Sequence, residues 1–254
     1  MLAGALLFAA PARAAEDMYR QEGATIRLVA LAPDGVGNVH GALSIELEPG
    51  WKTYWIAPGP VGLAPRLDFS GSTDLSDPSV DYPPPIRFAE GNDESVGYAE
   101  PTAFAISAKA APGATPTLRL SAFLGICREL CVPVQVQLAA EPTDSLSDRA
   151  LVRRAQATLP EDGGAPPPSL RWNHDRSALV MDADTTGSPL ADVFVSAGDG
   201  WSFGRPTAVG NSGRALSLPV LARPAPGAEL GPVNILLTRA DSAQQFRAVT
   251  IPPR

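Results

Sequence analysis

The segment Leu118-Arg119-Leu120-Ser121-Ala122-Phe123-Leu124-Gly125-Ile126-Cys127-Arg128-Glu129-Leu130-Cys131-Val132-Pro133-Val134-Gln135-Val136-Gln137-Leu138 alternates apolar and polar side chains on both sides of a short polar break. Leu118, Leu120, Ala122, Leu124 and Ile126 hold even positions, and so do Val132, Val134, Val136 and Leu138. Arg119, Ser121, Gln135 and Gln137 hold odd positions, and both cysteines share that parity. Alternate residues of a strand point to opposite faces. The segment therefore predicts two strands with one apolar face, joined by a turn that the cysteines flank. In that register both sulfurs point away from the core, which favours exchange with a foreign thiolate, because such attack needs an in-line approach to one sulfur.

Upstream the same alternation returns. Ile26, Leu28 and Ala30 alternate with Arg27 and Val29, and Leu43, Ile45 and Leu47 with Ser44 and Glu46. Turn residues separate the runs at Pro33-Asp34-Gly35, Pro49-Gly50, Pro58-Gly59-Pro60 and Pro112-Gly113. Short strands with one apolar face and frequent turns predict an all-β, antiparallel sandwich. Composition agrees: 44% of the 254 residues are apolar and 19% charged, which is globular and not disordered, and 27 Pro with 23 Gly suit short strands better than long helices.

Ser145 to Leu159 reads differently. Ser147 or Asp148 is placed to cap a helix through Ala150, Leu151, Ala155 and Leu159, with Pro160 ending it. Gly163-Gly164-Ala165-Pro166-Pro167-Pro168 reads as a linker, so 143–168 is taken as helix plus linker. Beyond it, Ser169–Trp172, Ala178–Met181, Asp192–Ser196, Ala215–Leu221, Val233–Thr238 and Phe246–Ile251 read as strands, predicting a second, smaller β-sandwich domain over 169–254. That half holds no cysteine and one histidine, His174, and no chemistry is read from it.

Residues 1–14 read as an export signal: Leu2 to Ala10 are apolar or small, and Ala12-Arg13-Ala14 follows Pro11 as a small-x-small cleavage pattern. A basic start is missing, so initiation is expected upstream, and the mature chain is expected to start near Ala15 outside the cytoplasm. No run approaches membrane-spanning length, and with a net charge of −7 and no Lys/Arg cluster, nucleic acid is not an expected partner. Disulfides form and persist in an exported compartment.

Three chemistries remain open for the cysteines. In the first they are an exchanging dithiol, with Arg128 favouring a thiolate by charge and Glu129 opposing it. The second is a structural staple, although a loop of about five residues gives only about 2 kcal/mol by chain entropy. The third is a metal site. Two thiolates suit Cu(I), but a closed zinc site wants four ligands, and only His40 and His174 could be added, each read as a packing or surface residue. No metal or organic cofactor is assigned. Gly210-Asn211-Ser212-Gly213 reads as a turn and Asp93-Glu94 as solvated loop charges.

The segment as a whole resembles the N-terminal periplasmic domain of the thiol:disulfide interchange protein DsbD, and more closely the corresponding region of ScsB-type proteins. The resemblance rests on Gly50-Trp51-Lys52-Thr53-Tyr54-Trp55, Pro58-Gly59, Gly62-Leu63-Ala64-Pro65, Asp68-Phe69-Ser70-Gly71-Ser72, Tyr82-Pro83-Pro84-Pro85, Arg87-Phe88, Gly97-Tyr98 and Cys127-Arg128-Glu129-Leu130-Cys131-Val132-Pro133. It covers roughly residues 22–140, so the redox domain is taken as 15–142. The family implies an immunoglobulin-like sandwich that passes electrons from a membrane electron transporter to thioredoxin-fold periplasmic proteins. It implies Cys131 as the attacking thiol, Cys127 as the resolving one, and a cap loop over the pair, here Phe88 to Tyr98 with Asn92, Asp93 and Glu94 near its tip. Trp51, Tyr54 and Trp55 are read as packing residues. Because the chain reaches Arg254 without membrane helices or a thioredoxin-like domain, the membrane transporter is expected to be a separate protein. A non-catalytic binding module and a Cu(I) carrier stand as the rival functions.

Overall fold

The computed structural model describes residues 16–91, 93–182, 189–198, 200–210 and 215–252. The expected export segment, the residue Asn92 and the predicted turn at Asn211-Ser212-Gly213 lie outside the described residues. Eleven strands build the first half: β1 (Met18–Gln21), β2 (Ala24–Ala30), β3 (Asn38–Leu47), β4 (Lys52–Tyr54), β5 (Arg66–Asp68), β6 (Leu75–Asp81), β7 (Ile86–Glu90), β8 (Asp93–Tyr98), β9 (Thr102–Ala110), β10 (Leu118–Cys127) and β11 (Cys131–Ala140). They pair antiparallel into one sheet ordered β1-β2-β3-β9-β6 and a second ordered β11-β10-β4-β8-β7, with β5 also on β10.

The even parity read from the sequence is the inward face. Leu118, Leu120, Leu124 and Ile126 of β10 are at most 1% exposed and meet Ile26, Leu28, Leu43, Ile45, Phe104 and Ile106 of the opposite sheet. Burying such a side chain contributes about 2 kcal/mol by transfer from water. The result is the expected immunoglobulin-like antiparallel sandwich.

The helix α1 (Leu146–Ala157) lies on the outer face of the first sheet, where Val152 and Ala155 pack on Val29, Ala42 and Ala105. Its cap is Ser145, not Ser147 or Asp148. Ser145 has extended backbone angles, and its hydroxyl accepts the Asp148 N–H at 3.1 Å. Asp148 sits inside the first turn, buried, and pairs with Arg27 at 3.0 Å.

The second half is a smaller β-sandwich of β12 (Glu161–Asp162), β13 (Leu170–Trp172), β14 (Ala178–Asp182), β15 (Asp192–Ser196), β16 (Ser202–Phe203), β17 (Thr207–Ala208), β18 (Ala215–Ala222), β19 (Val233–Thr238) and β20 (Ala243–Val249). One sheet runs β12-β20-β19-β15 and the other β13-β14-β18-β16, with β17 on β18. The last strand starts three residues earlier than the pattern suggests. A tight turn bonds the Arg239 N–H to the Ser242 carbonyl and brings Ala243 opposite Thr238. The chain joins this sheet just ahead of the stretch read as a linker: β12 pairs parallel with β20, and the N–H of Gly163, the first linker residue, bonds the Gln245 carbonyl. The halves share apolar packing, since Phe194 and Leu236 join the first core and Phe194 meets Trp55 edge-on at 5.8 Å between centroids.

One close approach fixes the middle of the second sheet. Gly97 of β8 pairs with Tyr54 of β4, and a Cβ there would overlap the Thr53 carbonyl oxygen. Gly97→Ala is expected to lower stability by about 1–3 kcal/mol, read as a fall in thermal midpoint. An unchanged midpoint would mean that β4 and β8 are not held this tightly.

Candidate functional site

β10 and β11 form one hairpin whose register places Cys127 directly opposite Cys131, with Cα atoms 4.1 Å apart and the sulfurs bonded. Arg128, Glu129 and Leu130 make the turn, and the Arg128 N–H reaches the Leu130 carbonyl at 3.2 Å. Both charged side chains of the turn are exposed. The cysteines flank the hairpin end as the alternation predicts.

The two sulfurs differ in environment. Cys131 is exposed, whereas Cys127 is 1% exposed. The register expectation holds, since Cys127 lies on the face of β10 opposite the sandwich core. The expectation of two outward, open sulfurs does not hold, because this end of the face is covered. Tyr54 and Leu63 lie over Gly125 so closely that a Cβ there would come within 2.8 Å of each. Around Cys131 the surface is open and apolar: Leu130 is 81% exposed and Val132 44%. Val132 has inward parity but sits at the hairpin end of the edge strand β11.

Tyr54 connects the pair to the neighbouring strands. β4 pairs with β10 through Thr53 opposite Ile126, which turns Tyr54 to the covered face. Its hydroxyl oxygen lies 3.0 Å from Cys131 Sγ and 3.3 Å from Cys127 Sγ, and donates to Glu90 Oε1 at 2.7 Å. Ser95 Oγ donates to the other carboxylate oxygen. Burial, with help from the Glu90 hydrogen bond and charge, pushes the Tyr54 phenol well above its ordinary value near 10, so it stays protonated throughout the neutral range. In the bonded state neither sulfur carries a hydrogen, and the single phenol hydrogen goes to Glu90. After reduction, a thiol S–H can donate to the phenol oxygen, giving a chain from sulfur through Tyr54 to Glu90 and Ser95.

The stretch 88–98 is a hairpin, β7–β8, and its residues divide. Phe88 stands near the site, its ring 6.1 Å from that of Tyr54 and under the Lys52 ammonium at 4.6 Å. Asp93 is exposed at the hairpin end. Glu94 faces away from the sulfurs and pairs with Arg87 and Arg205. Tyr98 is buried in the core, 5.6 Å from the Phe104 ring, with its hydroxyl on the Pro83 carbonyl at 2.9 Å. Glu90 falls inside the stretch expected as a cap but is not singled out there, and Tyr54 is read from the sequence as packing alone. The alternation of Phe88 and Glu90 was the only local signal for the first, and no local signal marked the second. Among the described residues, the one group of three metal-capable side chains is Glu90, Cys127 and Cys131, and neither His40 nor His174 belongs to it.

Residues 26–142 match the family model for the N-terminal domain of thiol:disulfide interchange protein DsbD. The fold is similar to the N-terminal periplasmic domain of ScsB from Proteus mirabilis, with a TM-score of 0.69 and 22% identity over 92% of this chain and 95% of that one. The periplasmic chaperone SfaE aligns at a TM-score of 0.20 with 11% identity, over 89% of this chain and 100% of that one. No curated protein sequence matches the chain significantly. Among the described residues, no helix is long and apolar enough to cross a membrane.

Glu90 places a negative charge beside both sulfurs, which opposes a second negative charge on a thiolate. Glu90→Gln is therefore expected to speed alkylation of the reduced protein by iodoacetamide at pH 7, by roughly threefold to tenfold. An unchanged rate would mean that the carboxylate does not act on the thiols.

Proposed function

Because residues 26–142 match the family model for the N-terminal domain of thiol:disulfide interchange protein DsbD, we propose that this protein is a periplasmic thiol–disulfide oxidoreductase component. It passes electrons from a membrane electron transporter to thioredoxin-fold proteins through Cys127 and Cys131. The observation that carries the reading is the unequal exposure of the two cysteine residues, with Cys131 exposed and Cys127 buried.

The reduced Cys131 thiolate attacks one sulfur of a partner disulfide. A Cys131–partner bond forms, the partner bond breaks, and the partner's second sulfur leaves as a thiolate that takes a proton. Cys127 then attacks Cys131 Sγ from inside the hairpin. The Cys127–Cys131 bond forms, the mixed disulfide breaks, and the partner departs as a dithiol. Two electrons have moved to the partner. The membrane transporter returns them by the same exchange in reverse.

The surroundings suit this division of labour. The apolar surface of Leu130 and Val132 beside Cys131 offers a partner contact that excludes water. Tyr54 stays protonated and lies within reach of either sulfur as charge develops. Sandwiches have no redox chemistry of their own, so selectivity rests on this surface and on the β7–β8 hairpin. The staple reading explains neither the open Cys131 nor the phenol poised between the sulfurs. The Cu(I) reading gains a third donor in Glu90, but a carboxylate suits harder cations than copper(I).

The test is capture of mixed disulfides. Cys127→Ser leaves Cys131 able to attack and nothing to resolve the product. Incubated with an oxidised periplasmic extract, it is expected to give discrete adducts with thioredoxin-fold proteins on non-reducing gels, identified by mass spectrometry. Cys131→Ser is expected to give none. Absence of adducts from both variants would leave the exchange reading without its central step.

A further inference from the structure

The hairpin β7–β8 has two faces, and only one belongs to the sulfur site. Its register sets Phe88 opposite Ser95, so Phe88, Glu90 and Ser95 look toward Tyr54 and the cysteines. Arg87 opposite Val96 and Ala89 opposite Glu94 place Arg87 and Glu94 on the reverse face, against the second half of the chain.

An ion network centred on a buried arginine joins the hairpin to that half. The Arg87 side chain is 4% exposed. Its Nε donates to Asp192 Oδ2 at 2.8 Å, Nη1 to Glu94 Oε1 at 3.2 Å, and Nη2 to the Val193 carbonyl at 3.0 Å. Its guanidinium also lies over the Phe194 ring at 4.8 Å. From the second half, Arg205 donates to Glu94 Oε2 at 2.7 Å and approaches Asp192 at 4.0 Å. Two cations and two anions thus close a neutral set in which each carboxylate meets both guanidinium groups. Such a network holds its members more firmly than isolated surface pairs do.

We propose that the second half acts as a latch. Through Asp192 and Arg205 it holds the β7–β8 hairpin down, and the hairpin holds Tyr54 over Cys127. Arg87, Glu94, Asp192 and Arg205 are positioning residues: they touch neither sulfur and act through Glu90 and Phe88 on the other face of the same two strands. The inference rests on the exchange reading of the cysteines, and it gives residues 189–252 a part in that exchange. An open cleft lined by Ile86, Arg87, Asp192, Phe194 and Arg205 brings solvent to the edge of the network. Dissolved salt therefore reaches it, and screening weakens the latch.

The test uses the full chain with Cys131→Ser, so that the buried Cys127 is the sole thiol. Its alkylation by neutral iodoacetamide reports how often the cover lifts. Glu94→Gln and Arg205→Gln remove two solvent-reachable members and leave Arg87 paired with Asp192. Together they are expected to speed Cys127 alkylation roughly tenfold and to raise hydrogen exchange at amides of 86–97. About 0.5 M NaCl is expected to speed the parent severalfold and the double variant little. Arg176→Gln, which breaks the exposed Arg176–Glu229 pair within the second half, is expected to change nothing. Equal alkylation rates in parent and double variant would overturn the latch. So would faster exchange spread equally over β3 and β9, which marks a general loss of stability. Alkylation needs no partner protein, so this outcome and the capture of mixed disulfides stand or fall separately.

Discussion

Everything at the site hangs on the hydrogen-bond register of β10. One edge of this strand pairs along its whole length with β11, and the other is shared by β4 and β5. The first pairing sets Cys131 opposite Cys127. The β4 pairing sets Thr53 opposite Ile126 and so turns Tyr54 onto the face that carries Cys127. β4 in turn pairs with β8, and β8 with β7, which delivers Ser95 and Glu90 to the phenol. A slip of one residue anywhere along this route would exchange the two faces and dismantle the group. Backbone ladders therefore bring the sulfurs, the phenol and the carboxylate to one face, and side-chain contacts hold them together there.

This explains which parts could be read in advance. The parity of Leu118 to Leu138 belongs to one hairpin, and a local pattern sufficed to place both cysteines on its outward face. Strands such as Asp192–Ser196 and Val233–Thr238 appeared at their predicted limits because their apolar runs end in turn residues. The burial of Cys127 was not legible, because its cover comes from Tyr54, 73 positions away. Nothing within a few residues of Tyr54 separates a phenol aimed at a disulfide from one that fills a core. Resemblance to a known family supplied the roles of the cysteines and the idea of a cap, yet it also drew in Tyr98. That residue closes the core with Phe104 and the Pro83 carbonyl.

The second half shows the same limit at longer range. Its strands were readable one by one, but its attachment was not. Arg87 and Asp192 are 105 positions apart, and neither stands in a pattern that marks it as anything but a surface charge. What makes the contact matter is that Arg87 belongs to a two-faced ribbon. A charge network on one side of such a ribbon is joined through two paired strands to whatever the other side touches. The short β12 strengthens the attachment, because the two residues just ahead of the Gly- and Pro-rich stretch pair with β20 and so tether its start.

The cross-strand seating of the cysteines also bears on speed. Their Cα atoms are held 4.1 Å apart by a hairpin with ladder partners running from Ile126–Val132 to Leu118–Ala140. The backbone has no need to travel when the bond opens, and side-chain torsions alone separate the sulfurs. A pair joined across distant loops would drag whole segments with each change of state. On the exchange reading proposed above, a bond seated on such a ladder asks little rearrangement of the strands that carry it.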